Sequence, residues 1–396
     1  MIECSRKMKI RSVHHKMKNH YQLLKEHFFQ NLESTLKAYE ARMNPETSAL
    51  EKSALLGLDD PGYYGCYMPD SPRYHDKKLL EYALAALEKY ETYIHEDGSV
   101  DLIETNFHDP AQTGFHVKAY FGVTEILVKF SEHTELEEKL LEITVRILSK
   151  MGEAMSTLGF HTPNHRWVIS ASLSIAYRYT HNPRFLETIN RFLMEGIDCD
   201  ENGEYTERST GSYNNICNHS FFLLAYFLND PSFLEYPRRN LNLMYSFTEP
   251  DLTVNTLNST RWDQGGQYSI APYYTFYLIL ALWDKNPEFA YMADTITEKL
   301  DLPSALSIYQ CDILSFFMLF PEMNERQSAL EPKAPAKDQT KFLPNSNIAR
   351  IYKPENDLVI TLLGTRHPVF MQLNYGSSII QVRYAGSFFG DPPSQF

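Results

Sequence analysis

The sequence predicts a mainly α-helical protein, an (α/α) toroid of helical hairpins over residues 1–335, followed over 336–396 by a short, truncated antiparallel β-sandwich module. Three observations carry that expectation. Apolar residues recur at helical spacing along most of the chain. Long polar connections alternate with short ones. After the Pro- and Lys-rich stretch EPKAPAKD (331–338) the pattern changes to alternating apolar and polar runs.

Helical periodicity runs through LLEYALAALEKYETY (79–93), VKAYFGVTEILVKF (117–130) and ELEEKLLEITVRILSKMGEAM (135–155). Further helices are expected over His165–Tyr179, Pro183–Met194, Asn214–Leu228, Pro231–Phe247, Pro272–Trp283 and Pro287–Lys299. Several open with Pro in the first turn, where its missing N–H costs nothing. The connections are rich in Asn, Asp, Gly, Pro and Ser. Paired helices with every second loop long suggest stacked hairpins. No strict repeat of sequence is visible, so a closed ring is preferred over a regular solenoid, and its long loops would gather on one face. The β-type module begins near Phe342 with NIARIYK, DLVITLLGT, PVFMQLNYG and SIIQVRYAG, about four strands with an open final edge.

Composition narrows the function. The 396 residues, 43% of them hydrophobic, are enough for a large core. A net charge of -13 argues against nucleic-acid binding, which needs a basic surface. The 26 tyrosines and 24 phenylalanines suit helix packing and equally the walls of a sugar cleft. Five cysteines with no CxxC pair read as reduced thiols, and neither a metal site nor a cofactor is expected. The basic N-terminus is followed by no signal-peptide-like apolar run, and no segment has the ~18 apolar residues of a membrane span, so a cytoplasmic location is expected. Met8 or Met17 could be the true start. Homo-oligomer formation is left open.

Three polar loops stand out, each leading into a helix. ETNFHDPAQTGF holds Asn106, His108, Asp109 and Gln112; GFHTPNHRW holds His161, Asn164, His165, Arg166 and Trp167; DENGEYTERSTGSYNN holds Glu204, Tyr205, Glu207, Arg208, Ser209 and Tyr213. A fourth, NSTRWDQGGQY, carries Asn258, Arg261, Trp262, Asp263 and Gln264 and reads equally well as a sugar platform or a hydrogen-bonded turn.

The pair Asn164-His165 and the loop Gly203, Tyr205, Glu207, Ser209, Tyr213 resemble the heparinase II/III-like and alginate-lyase families of toroidal polysaccharide lyases. The resemblance spans roughly Leu79 to the C-terminus and is strongest from Asn164 to Tyr213. It implies cleavage beside a uronic acid by β-elimination: the C5 proton is removed, the oxygen at C4 is expelled, and the carboxylate is neutralised first. On that reading Asn164, with Arg166 or Arg261, is the carboxylate clamp. His165 is the base or its assistant, and Tyr213 is the proton donor, with Arg208 or His165 as its cationic neighbour. Asn106, His108, Gln112, Tyr205, Glu207, Trp262 and, from the β-module, His367 would contact an acidic, uronate-containing oligosaccharide or polysaccharide.

Plainer roles exist for the same residues. Tyr213 could be a packing residue, His165 a helix-start histidine bonded to backbone, Asn164 an ordinary N-cap, and Glu207 a structural partner of Arg208. Two other functions compete. A glycoside hydrolase would need a carboxylate pair from Asp109, Asp200, Glu204, Glu207 and Asp263, and a truncated chain could bind glycans without catalysis.

Overall fold

The computed structural model describes residues 20–43, 60–157, 159, 161–305, 310–324, 330–335, 339–353, 358–364, 369–376 and 378–383. Among them the chain is mostly helical, with one separate antiparallel sheet near the C-terminus. Four helices have long uninterrupted stretches of buried positions: α4 (Pro110–Phe130), α6 (Pro163–Thr180), α8 (Tyr213–Leu228) and α10 (Tyr274–Asp284). Helices buried on nearly every side belong inside a structure, and α6 packs between α4 and α8.

The remaining helices precede these four in the chain or pack beside them. They are α1 (His20–Met43), α2 (Asp60–Tyr67), α3 (Lys77–Glu91), α5 (Glu135–Thr157), α7 (Pro183–Met194), α9 (Glu235–Phe247) and α11 (Pro287–Lys299). Of these, α5 and α7 back α6, while α9 and α11 back α10. Short α12 (Leu302–Ala305) and then α13 (Gln310–Leu319), which lies against α4 and α1, complete the helices.

Three inner helices stop in the same way. His181, Asn229 and Lys285 take left-handed φ values of 53°, 54° and 52° at the ends of α6, α8 and α10. Asn182, Asp230 and Asn286 then cap the next element through their side chains, and Pro183, Pro231 and Pro287 occupy its first turn. At the same end Glu125 of α4 accepts hydrogen bonds from the hydroxyls of Tyr179 on α6 and Tyr226 on α8. Inner helices whose C-termini meet at one end all point their N-termini toward the other. Their N-termini and the long polar loops therefore share the opposite end.

Small hairpins stiffen those loops: β1 (Val100–Leu102) with β2 (Asn106–Asp109), and β3 (Thr253–Val254) with β4 (Tyr268–Ser269). The C-terminal sheet is a meander, β5 (Gln339–Leu343), β6 (Ile348–Lys353), β7 (Leu358–Leu363), β8 (Val369–Tyr375) and β9 (Ser378–Arg383), each strand antiparallel to the last. The first strand, Gln339–Leu343, spans Phe342, near which the module was expected to begin, and the described strands form one sheet of five where about four strands of a sandwich were expected.

The sheet is tied to the helical part through a buried ion pair. Arg350 on β6 donates to the Glu249 carboxylate at 2.9 Å and to the Ser246 carbonyl at 2.9 Å. Asn255 also donates to Glu249, which lies just beyond α9. No described helix is long and apolar enough to cross a membrane.

Candidate functional site

The loop before α8 is built by its own polar residues. Gly203 has φ 84°, and a Cβ there would lie 2.2 Å from the Arg239 carbonyl oxygen, so only glycine fits. Its own carbonyl accepts from Asn240, which in turn accepts from Asn218. Asn218 accepts the Tyr205 hydroxyl. Tyr205 is 1% exposed and stacked on Phe221, so it is a core residue with no surface to offer a ligand, contrary to the binding role expected of it. Ser209 accepts the backbone N–H of Tyr213 at 3.0 Å and so caps the start of α8. The Glu207 carbonyl accepts both the N–H and the hydroxyl of Thr260, which fastens this loop to the one bearing Arg261 and Trp262. Gly211 completes the junction: its N–H donates to Asp263 at 2.9 Å, where a side chain would strike the Tyr268 ring.

These ties bring Asn164, Glu207, Arg261, Tyr213 and Trp262 into one cluster. Asn164 donates its amide to both oxygens of Glu207, at 2.9 and 2.8 Å, and to Thr162. Arg261 approaches Glu207 to 3.6 Å, and its guanidinium lies 5.0 Å from the centre of the Tyr213 ring. Trp262, 66% exposed, donates its indole N–H to the Tyr213 hydroxyl at 3.0 Å.

His165 lies beside this group. Burial lowers its pKa, with the Arg261 charge acting in the same direction and Asp109 opposing it. Its ring is therefore neutral near neutral pH. Burial raises Glu207 above the usual carboxylate range, against the pull of Asn164 and Arg261.

Several expected roles change with these contacts. Asn164 is 0% exposed and its amide protons already face Glu207 and Thr162, so they are not free to meet a substrate carboxylate directly. Arg166 turns away, pairing with Glu195 at 2.9 Å and lying over the Trp167 ring, where it fastens the loop after α7. The cation beside Tyr213 is Arg261, whereas Arg208 faces a cavity of about 420 Å³ shared with Asn258, Thr260 and the β5–β6 turn Asn345–Asn347. That turn was not anticipated, since nothing local in a β-hairpin marks it as a partner of a distant helical loop.

In the first loop Asn106 donates to Asp109, and Asp109 caps α4 by accepting the Gln112 N–H. Gln112 also reaches His116 at 3.0 Å. His108, at φ 51°, bonds Asp97 at 2.8 Å and stacks on His95, so its visible contacts serve the β1–β2 hairpin. His367 lies outside the described residues.

The carboxylates are tied into hydrogen bonds. Asp263 is fully buried and accepts from Ser259 and Gly211. Glu204 accepts from Asn258, and burial pushes its pKa up to about 7. Asp200 accepts from Asn345 and from the backbone of its own turn. Among the described residues no group of three or more His, Cys, Asp or Glu side chains is arranged to hold a metal ion.

No family model and no curated protein matches the chain. Among solved structures the chain is similar to a chondroitinase AC lyase, described as revealing its active site through enzyme–oligosaccharide complexes and mutagenesis. The TM-score is 0.46 at 10% identity, over 90% of this chain and 55% of that one, so this chain spans about half of that structure's length.

Proposed function

We propose that the protein is a glycan lyase that cleaves uronate-containing oligosaccharides or polysaccharides by β-elimination, with its inner and outer helices forming an (α/α) toroid. The observation that carries this reading is the half-buried Tyr213 phenol, held between the Arg261 guanidinium and the Trp262 N–H at the end of the molecule where the polar loops meet. Arg261 is the cation at hand to neutralise the substrate carboxylate, which acidifies the C5 proton. His165, neutral through burial, accepts that proton. Tyr213 gives its own proton to the departing O4, and the Trp262 N–H with the Arg261 charge stabilises negative charge building on its oxygen. Asn164 and Glu207 set the height of Arg261 over the ring.

Hydrolysis is the weaker reading because it asks for two carboxyl groups free to face one sugar ring. Asp109, Asp200, Glu204, Glu207 and Asp263 each hold loop structure instead. The test is near-ultraviolet absorbance during incubation with a panel of uronate oligosaccharides, since elimination leaves a conjugated C4–C5 double bond and hydrolysis leaves none. A rising signal that Tyr213→Phe abolishes supports the lyase; bond cleavage without the signal overturns it.

A further inference from the structure

We propose that the face of the C-terminal sheet turned away from the helices is a docking surface for a second copy of this chain, the two sheets packing face to face as a twofold dimer. The pairing register divides the sheet into two faces. Arg350, Thr361, Gln372 and Asn374 share the face toward the helices, where Arg350 reaches Ser246 and Glu249 and Thr361 accepts from Asn255. All four are buried. The side chains between them point the other way, in two rows that cross the strands. One row runs Phe342, Ala349, Leu362, Met371 and Val382; the next runs Thr340, Ile351, Ile360, Leu373 and Ile380. Every member is half-buried or exposed, Phe342 58% and Ile380 56%. An antiparallel sheet with one solvated face turns its polar residues outward. Here the outward rows are apolar save Thr340, and the buried polar groups face inward. A contiguous apolar face of this kind marks a contact surface.

Size and charge select the occupant. A sheet face is covered by a second flat layer about 10 Å away whose inward side chains are apolar. Residues 384–396, which follow β9, are too few to cover five strands, and Gly386, Gly390, Pro392 and Pro393 interrupt their alternation. The basic stretch 1–19 is unsuited to a dry apolar layer. The sheet of a second copy has both the size and the alternation required. Five strands about 4.8 Å apart and about 20 Å long present a flat footprint of roughly 480 Å². Two such faces, roughened by their side chains, pass the ~1,000 Å² that a specific interface needs. Charge does not oppose the contact. No Asp or Glu stands on the five described strands, and Lys353, at the end of β6, is the one charged residue on their outward face. A twofold axis sets the same patch against itself and leaves such a rim position in water. The whole chain carries a net charge of -13, so two copies repel at a distance, and salt screens that repulsion. None of the catalytic cluster lies on this face, so the contact stands independently of the lyase reading.

Sedimentation velocity on the full chain tests the proposal. The expected result is a concentration-dependent equilibrium between monomer and dimer that tightens as salt is raised. Ile380→Lys and Ile360→Lys each place a charge on the outward face and should weaken the dimer at least about tenfold. Gln381→Lys, on the same outer strand as Ile380 but on the opposite face, should leave it unchanged. Ile360 lies on the middle strand, beyond reach of a contact made along the β9 edge, and so separates face packing from edge pairing. Circular dichroism checks that each variant folds, and Ile380→Lys, at an exposed position, keeps the test decisive if Ile360→Lys does not. A wild type that stays monomeric overturns the proposal, whether its outward face is bare or covered by residues of its own chain. So does a dimer indifferent to both lysine substitutions. A dimer that Ile380→Lys abolishes and a folded Ile360→Lys spares overturns it in favour of pairing along β9. A series of ever larger species in place of a dimer overturns it in favour of unspecific aggregation.

Discussion

The two ends of the inner helices are built by different rules. At one end α6, α8 and α10 each stop with a left-handed residue, an Asn or Asp cap and a proline, a unit three residues long and nearly the same each time. At the other end the loops share no common sequence, and their geometry depends on side chains far apart in the chain, such as Asn164 with Glu207 and Trp262 with Tyr213. Repeated local caps stop the helices at the first end, and Glu125 then ties α4 to α6 and α8 across it. Long-range hydrogen bonds shape the second, which buries polar groups and holds the candidate chemistry.

Substitutions at the two ends should therefore separate activity from stability. The largest effect is expected for Tyr213→Phe, which should lower the elimination rate by ~10²–10⁴-fold, the range of a lost general acid, with an unchanged melting temperature. Steady-state kinetics and thermal denaturation on the same sample check this. Glu125→Ala at the opposite end should do the reverse, costing ~3 kcal/mol by leaving the Tyr179 and Tyr226 hydroxyls without their acceptor, with the turnover of the folded fraction kept. If Glu125→Ala slows turnover as Tyr213→Phe does, the division between the ends fails.

Glu204 sharpens the comparison through pH. Its pKa is raised from 4.5 to about 7, so the folded state favours the protonated form. The stability linked to this group is then complete below pH 4.5 and is lost as pH rises through about 7; the span corresponds to ~3 kcal/mol. Denaturant titrations across that window should show the decline, and Glu204→Gln should reduce it, leaving the share that the raised Glu207 contributes. A wild type whose stability is level across the window would mean that Glu204 is solvated.

For His165 the sign concerns activity. Burial favours the neutral imidazole, so the acid limb of kcat/KM should fall below the pH 6.5 of an ordinary histidine. A limb above 6.5 would remove His165 as the base. The smallest effect belongs to the turn end: Lys285→Gly relieves a left-handed φ of 52° and should stabilise by a few tenths to ~1 kcal/mol, leaving turnover alone.

Much of the architecture was legible in the residues. Helices Pro183–Met194 and Pro287–Lys299 have the bounds that their prolines and apolar spacing suggested, and the alternating runs after Asp338 are strands. Helix α1 was not anticipated, because its residues lie in and just beyond a basic segment given little weight. The candidate site was legible as a set of loops and much less as a set of roles. Asn164 faces inward to Glu207, Tyr205 belongs to the core, Arg166 holds the loop after α7, and Arg261 stands where Arg208 or His165 was expected.

What the sequence by itself determined are the features governed by neighbours within a turn or two: helix period, caps, proline starts and strand alternation. Only the tertiary structure decided which polar side chains face one another across the loops, and that the five described C-terminal strands form one sheet tied to the helices by Arg350 and Glu249. The physical reason is range. A helix obeys contacts three and four residues away, whereas the direction of a loop side chain is set by partners forty or fifty residues distant, such as Glu207 for Asn164, whose presence no local pattern announces.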